Sequence, residues 1–148
     1  MQQKSFSCSI TVPISVPDAF QRIAQVSQWW SENIEGDFQQ LCDTFTIRFN
    51  FGDSFVLTVA DIVKDKKIVW SVTDSNLTWI KNNKEWIGTK IVFDMSNENN
   101  FTQITFTHSG LVPDLECYDG CAKGWNYYIQ ESLFKLLTEG KGFPDRKK

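Results

Sequence analysis

The last quarter of the chain most narrows what it can fold into. From Asp114 to Gly142 the sequence reads as one long amphipathic helix with a start and a stop. Tyr118, Cys121, Ala122, Trp125, Tyr128, Ile129, Leu133, Leu136 and Leu137 recur at helical spacing and form one apolar stripe. Pro113-Asp114 supplies an entry with Asp114 as N-cap. Gly140 and Gly142 close the helix, and Pro144 prevents its resumption. Apart from one short helical stretch, everything upstream of Pro113 alternates like strand. A sheet-rich body closed by one long helix is a restricted architecture. The helix lies across a curved sheet, and such a pair can enclose a cavity.

The strands follow by parity. Phe6, Cys8, Ile10, Val12 and Ile14 alternate with polar residues and Pro13. Ser15 caps a helix with Pro17 in its first turn and Asp18 at the capping-box position. Val16, Ala19, Phe20, Ile23 and Val26 give that helix its apolar face. Trp29-Trp30 mark its end or bend, and a second short helical piece is expected up to Asn33, with Gly36 ending the region. Phe45, Ile47, Phe49 and Phe51 form the next alternating set. Gly52-Asp53 is a turn, Phe55 to Val63 a strand, and Lys64 to Lys67 a charged hairpin turn. Ile68, Trp70 and Val72 share one strand face, and Leu77 to Asn83 is irregular. Ile87, Thr89, Ile91, Phe93 and Met95 mark a further strand. Asn97 to Asn100 is a polar turn, after which Ile104, Phe106 and His108 alternate with threonines. Short turns imply antiparallel pairing. The expected class is α+β: a helix-grip fold, with a curved antiparallel sheet of six to seven strands around the C-terminal helix and short helices after the first strand.

A length of 148 residues fits one domain, 1–148, with enough chain for a sizeable core. A net charge of −3 with scattered basic residues argues against nucleic-acid binding. The basic Arg146-Lys147-Lys148 end reads as a solvated tail. No apolar run reaches membrane-spanning length, and the polar Met1 to Ser5 stretch lacks a signal-peptide core, so a cytoplasmic location is expected. Cys8, Cys42, Cys117 and Cys121 are then free thiols. The i, i+4 spacing of the last two on a helix makes a bridge between them awkward.

The order of elements resembles the START-like, or birch-pollen-allergen-like, superfamily (SRPBCC). Within it the chain is most similar to the domains named after the activator of the heat-shock-protein ATPase. The resemblance rests on Trp29-Trp30, Glu85-Trp86-Ile87-Gly88-Thr89, Thr107-His108-Ser109-Gly110-Leu111, Glu116-Cys117-Tyr118 running into Gly124-Trp125 and Ser132-Leu133, and the Gly140-Lys141-Gly142 ending. It covers essentially the whole chain and implies the helix-grip fold. It also implies an apolar or amphipathic small-molecule ligand, with some members catalysing cyclisations or related reactions. A homodimer or a chaperone partner stays open.

Several residues could carry chemistry. His108, the sole histidine, shares parity with Ile104 and Phe106 and should point inward. It reads either as a core histidine satisfied by one hydrogen bond or as a polar anchor orienting one ligand oxygen. A lone histidine lacks the partners of a catalytic triad. Cys117, Cys121 and His108 could offer three zinc ligands, but the usual Cys-x-x-Cys spacing is absent, so no metal and no cofactor are expected. Trp70, Phe49, Tyr118, Trp125 and Tyr128 are candidates either for plain packing or for a cavity wall. Gly120 and Gly124 weaken a helix by about 1 kcal/mol each relative to alanine, which fits either something approaching the backbone or close helix–sheet packing. Parity places Trp86 on the outer face or at a strand end. Glu85 reads as an inward partner for His108 or a lysine, or as a surface carboxylate, and Glu116 as serving the helix dipole. The expected ligand-binding set is Phe49, Trp70, His108, Tyr118, Cys121, Trp125 and Tyr128. The expected function is small-molecule binding between sheet and helix. A protein-interaction domain is one alternative, and an enzyme using the same cavity with His108 is another.

Overall fold

The computed structural model describes residues 4–146, so Met1 to Gln3 and the Lys147-Lys148 end of the basic tail lie outside the described residues. Seven strands form one antiparallel sheet: β1 (Phe6–Val12), β2 (Asn33–Gly36), β3 (Thr44–Arg48), β4 (Ser54–Val63), β5 (Lys67–Asn76), β6 (Lys90–Glu98) and β7 (Phe101–Ser109). Their spatial order is β1-β7-β6-β5-β4-β3-β2. From β3 to β7 each strand pairs with its predecessor, and β1 closes the far edge against β7. Register shifts at Val56/Leu57 and Val59/Asp61 interrupt the β4–β5 ladder. Such bulges increase the local bend of a sheet.

Alternation gives the sheet one apolar face. In register, Phe6 opposes His108, His108 opposes Ile91, Ile91 opposes Trp70, and Trp70 opposes Val59. The next row includes Phe106, Phe93 and Ile68. All of these side chains are buried. The helix α1 (Val16–Ala24) opens as its cap residues require, with the Ser15 hydroxyl accepting from the Asp18 backbone N–H at 3.2 Å.

The terminal helix runs from Tyr118 to Glu139 as α2 (Tyr118–Tyr127), a π-helical segment (Tyr128–Leu133) and α3 (Phe134–Glu139). Its buried row steps by four residues: Cys121, Trp125, Ile129, Leu133 and Leu137. Each such step overshoots a 3.6-residue turn by about 40°, so a uniform α-helix would carry the row away from the sheet. The wider i→i+5 turns rotate less per residue and bring it back. Gly140 ends the helix in the left-handed region at φ 84°.

Three expectations change. The helix begins at Tyr118 and not at Asp114, because its amino end is capped from another segment by Glu85. Two segments read as part of longer elements also differ. Val26–Gln28 is a single 3₁₀ turn, and β2, not foreseen, starts at Asn33 where the short helical piece was expected to end, Ile34 pairing across to Ile47 on β3. The strand expected from Ile87 starts at Lys90, and Leu77–Gly88 departs from the ladder.

Candidate functional site

A cleft opens where α2 leaves the sheet. Its volume is about 290 Å³, near the lower end of small-molecule pockets. Trp30, Trp86 and Trp125 form its inner wall, and Cys121, Gly124 and Tyr128 its helical side. One short stretch supplies another wall, with Phe49, Phe51, Asp53 and Phe55 at alternating positions. Leu77, Trp79 and Gly120 complete the rim.

The inner wall is an aromatic stack. Trp86 lies on Phe55 with ring centroids 4.0 Å apart and on Trp125 at 5.7 Å. Trp30 meets Trp125 at 5.0 Å and stacks on Trp70 behind it at 6.2 Å. At the mouth the rings turn outward: Phe51 is 59 % exposed and Trp79 is 48 % exposed. Phe51 stacks on Phe49 at 5.3 Å.

The two helical glycines have different surroundings. A Cβ on Gly120 would come within 2.6 Å of the Trp79 ring, so Gly120 is the seat of that indole. A Cβ on Gly124 would meet nothing within 4 Å. It faces the empty part of the cleft.

Several polar groups of the cleft are paired within the chain. The Trp79 Nε1–H donates to Asp53 Oδ2 at 2.9 Å, and Asp53 Oδ1 accepts from the Thr78 backbone N–H and hydroxyl at 2.8 and 2.9 Å. The Trp86 Nε1–H donates to Cys121 Sγ at 3.3 Å. Burial, reinforced by the negative field of Asp145, pushes the Tyr128 phenol above its ordinary value and keeps it protonated.

His108 lies behind this wall, fully buried. The Trp125 Nε1–H donates to its Nδ1 at 3.0 Å. An indole nitrogen can only donate, so Nδ1 is the acceptor and Nε2 carries the proton. Nε2 therefore donates to Thr89 Oγ1 at 2.8 Å, and Thr89 donates onward to the Trp86 carbonyl at 2.6 Å. Burial pushes the imidazole pKa down to about 3. The ring is a neutral strut joining β7, the Trp86 turn and α2.

The loop carrying Trp79 and Trp86 is fastened to the helix entry by two carboxylates. Glu85 accepts from the backbone N–H groups of Glu116 and Cys117 at 2.8 and 2.9 Å. Glu116 accepts from the N–H groups of Lys81 and Asn82 at 3.1 and 3.2 Å. These backbone donors hold the Glu116 carboxyl below its ordinary pKa. The helix-start role expected of Glu116 thus falls to Glu85, and Glu116 holds the loop.

Of the residues singled out from sequence, Phe49, Cys121, Trp125 and Tyr128 meet at the cleft. Trp70 and His108 sit in the core behind it, and Tyr118, at the first turn of α2, is half-buried away from it. Trp86, read as lying on the outer face or at a strand end, is buried at its centre. The parity argument failed because Trp86 lies in a turn, where alternation does not operate. Trp30, Phe51, Asp53, Phe55, Leu77 and Trp79 were missed as wall residues. A tryptophan in the irregular, polar Leu77–Asn83 stretch was the available signal. Among the described residues no group of three or more His, Cys, Asp or Glu is placed to hold a metal ion.

A sheet gripping a terminal helix over an aromatic cleft is the helix-grip architecture of START-like proteins, and comparison with known proteins agrees. The model of the family described as "Activator of Hsp90 ATPase homolog 1-like protein" matches residues 13–138, and the chain belongs to this family. Among solved structures, the fold is similar to the Aha1 dimer from Colwellia psychrerythraea, with TM-score 0.76, 23% identity, and coverage of 93% of this chain and 98% of that one. It is also similar to DynU16, a putative protein in the dynemicin biosynthetic locus, with TM-score 0.71, 15% identity, and coverage of 99% of this chain and 52% of that one. Protein MLL2253 from Mesorhizobium loti matches with TM-score 0.70, 15% identity, and coverage of 93% and 100%. At these identities the likeness is one of fold. The search of curated proteins finds no match. No helix among the described residues is long and apolar enough to cross a membrane.

Proposed function

We propose that the protein binds an apolar or amphipathic small molecule in the cleft between Phe49–Phe55, the Leu77–Gly88 loop and α2. The observation that carries this reading is the floor at Gly124. A glycine there weakens the helix by about 1 kcal/mol relative to alanine, and the space it leaves is open to the cleft and walled by aromatic rings. Nothing in the packing of the chain itself uses that space. Phe49, Cys121, Trp125 and Tyr128 contact the ligand in this reading, while Trp70 and His108 support the wall. An enzymatic use with His108 as acid–base group draws no support from a ring whose two nitrogens are both engaged and whose pKa is pushed down to about 3. Native mass spectrometry of protein purified from its own host tests the reading. A retained small molecule, lost from Gly124→Phe protein purified in the same way, is expected; a chain that retains nothing, or retains a molecule equally in Gly124→Phe protein, would refute it.

A self-association reading draws on the dimer formed by the Colwellia relative. Light scattering at micromolar concentration tests it: a dimer mass supports it, and a monomer mass throughout rejects it.

A further inference from the structure

The cleft has a charge preference built into it. Asp53 is the sole charged residue in its lining, and neither lysine, arginine nor histidine contributes to the wall. The Asp53 side chain is nearly buried, at 4 % exposure. Its three hydrogen bonds come from neutral donors, and none of the ion pairs among the described residues reaches it. Dipoles hold this carboxylate in place without cancelling its charge. In a low-dielectric, concave setting such a charge acts over a longer range than it would in water.

The rings around it add to the same sign. Aromatic faces carry negative potential, which attracts cations. Trp79 donates its N–H to the carboxylate, which makes its ring more electron-rich, and it stands half-exposed at the mouth beside Phe51. Three of the indole donors of the wall are not available to an anionic head. The N–H of Trp79 is spent on Asp53, that of Trp86 on Cys121, and that of Trp125 on His108.

We infer that the ligand is an amphipathic organic cation, with its ammonium group beside Asp53, Trp79 and Phe51 and its apolar body over Gly124 against Trp86. This rests on the small-molecule reading and adds to it the chemical class. At about 290 Å³ the cleft takes a compact aryl or alkyl body, and the open mouth leaves the cationic end partly solvated. A methylated ammonium suits such a site, since it loses little hydration energy on meeting ring faces.

Three probes of nearly one shape test this by titration of tryptophan emission and by calorimetry: benzyltrimethylammonium, its neutral isostere neopentylbenzene, and the anion 3-phenylpropionate. Benzyltrimethylammonium is expected to bind at least about tenfold more tightly than neopentylbenzene, with 3-phenylpropionate weakest. Asp53→Asn should remove most of that preference while leaving neopentylbenzene affinity within about twofold. If Asp53→Asn does not fold, Trp79→Leu, which keeps the carboxylate and removes the ring, should reduce the preference at least about threefold. Equal binding of the cation and its neutral isostere, each blocked by Gly124→Phe, would overturn the cation inference and leave the cleft reading standing. A cation preference unchanged in both Asp53→Asn and Trp79→Leu would also overturn it. Binding of all probes indifferent to Gly124→Phe would remove the cleft reading itself.

Discussion

Gly124 and Gly120 lie one helical turn apart and should respond in opposite ways to the same substitution. Gly124→Ala adds a Cβ into open space and recovers helix propensity, so it should stabilise the fold by about 1 kcal/mol. Gly120→Ala must push Trp79 aside and strain its bond to Asp53, so the gain should vanish or reverse. Urea midpoints of the two variants measure the difference. His108 gives a pH signature. Its folded pKa, about 3, lies below its ordinary 6.5, so the unfolded chain binds the extra proton between these values. The neutral ring's contribution is therefore complete above about pH 6.5 and falls with acid by about 1.4 kcal/mol per pH unit through that window. His108→Phe should flatten this part of the stability profile. Nitrogen chemical shifts of the imidazole should report an Nε2–H tautomer that does not titrate from pH 8 to pH 5.

The loop and helix entry are joined through Glu85 and Glu116 rather than through local capping. Glu85→Ala removes an acceptor shared by two backbone donors at the amino end of α2. It should cost about 0.5–2 kcal/mol, the range for lost helix caps. Amide exchange at Glu116 and Cys117 should accelerate in that variant, and unchanged protection would show that the cap is dispensable. This pairing also explains why the helix start was misplaced in the sequence. Pro113-Asp114 offers a plausible local cap, whereas the actual one comes from 31 residues away and leaves no periodic trace. The Ser15 cap and the Gly140 stop are local, and both were legible. β2 was not foreseen because four residues show too little alternation to announce a strand, which forms through its pairing with β3.

At the scale of the whole molecule, alternation and the helical stripe were enough to read a curved antiparallel sheet and the gripping helix, but not β2 or the pairing of β1 with β7. They placed Trp125 at the centre, where it contacts Trp30, Trp86, Phe106 and His108. Trp125→Ala should cost ~3–5 kcal/mol by cavity formation, and the unpaired His108 nitrogen should add to that loss. The position of the cleft was only half legible. Parity identifies the apolar face but not the place where it stops being covered. That place is set by the Leu77–Gly88 loop, whose path depends on Asp53, Glu85 and Glu116 meeting backbone donors from other segments. Hence Trp70 and His108 were grouped with the cleft although they lie one layer behind it. The central claim, that the cleft is a ligand site, is tested most directly by titrating the neutral fluorophore N-phenyl-1-naphthylamine into wild-type, Gly124→Ala and Gly124→Phe protein. The account predicts one bound probe per chain with quenched tryptophan emission, affinity nearly kept in Gly124→Ala, and affinity reduced at least about tenfold in a folded Gly124→Phe. Equal affinity in wild-type and Gly124→Phe protein would contradict it.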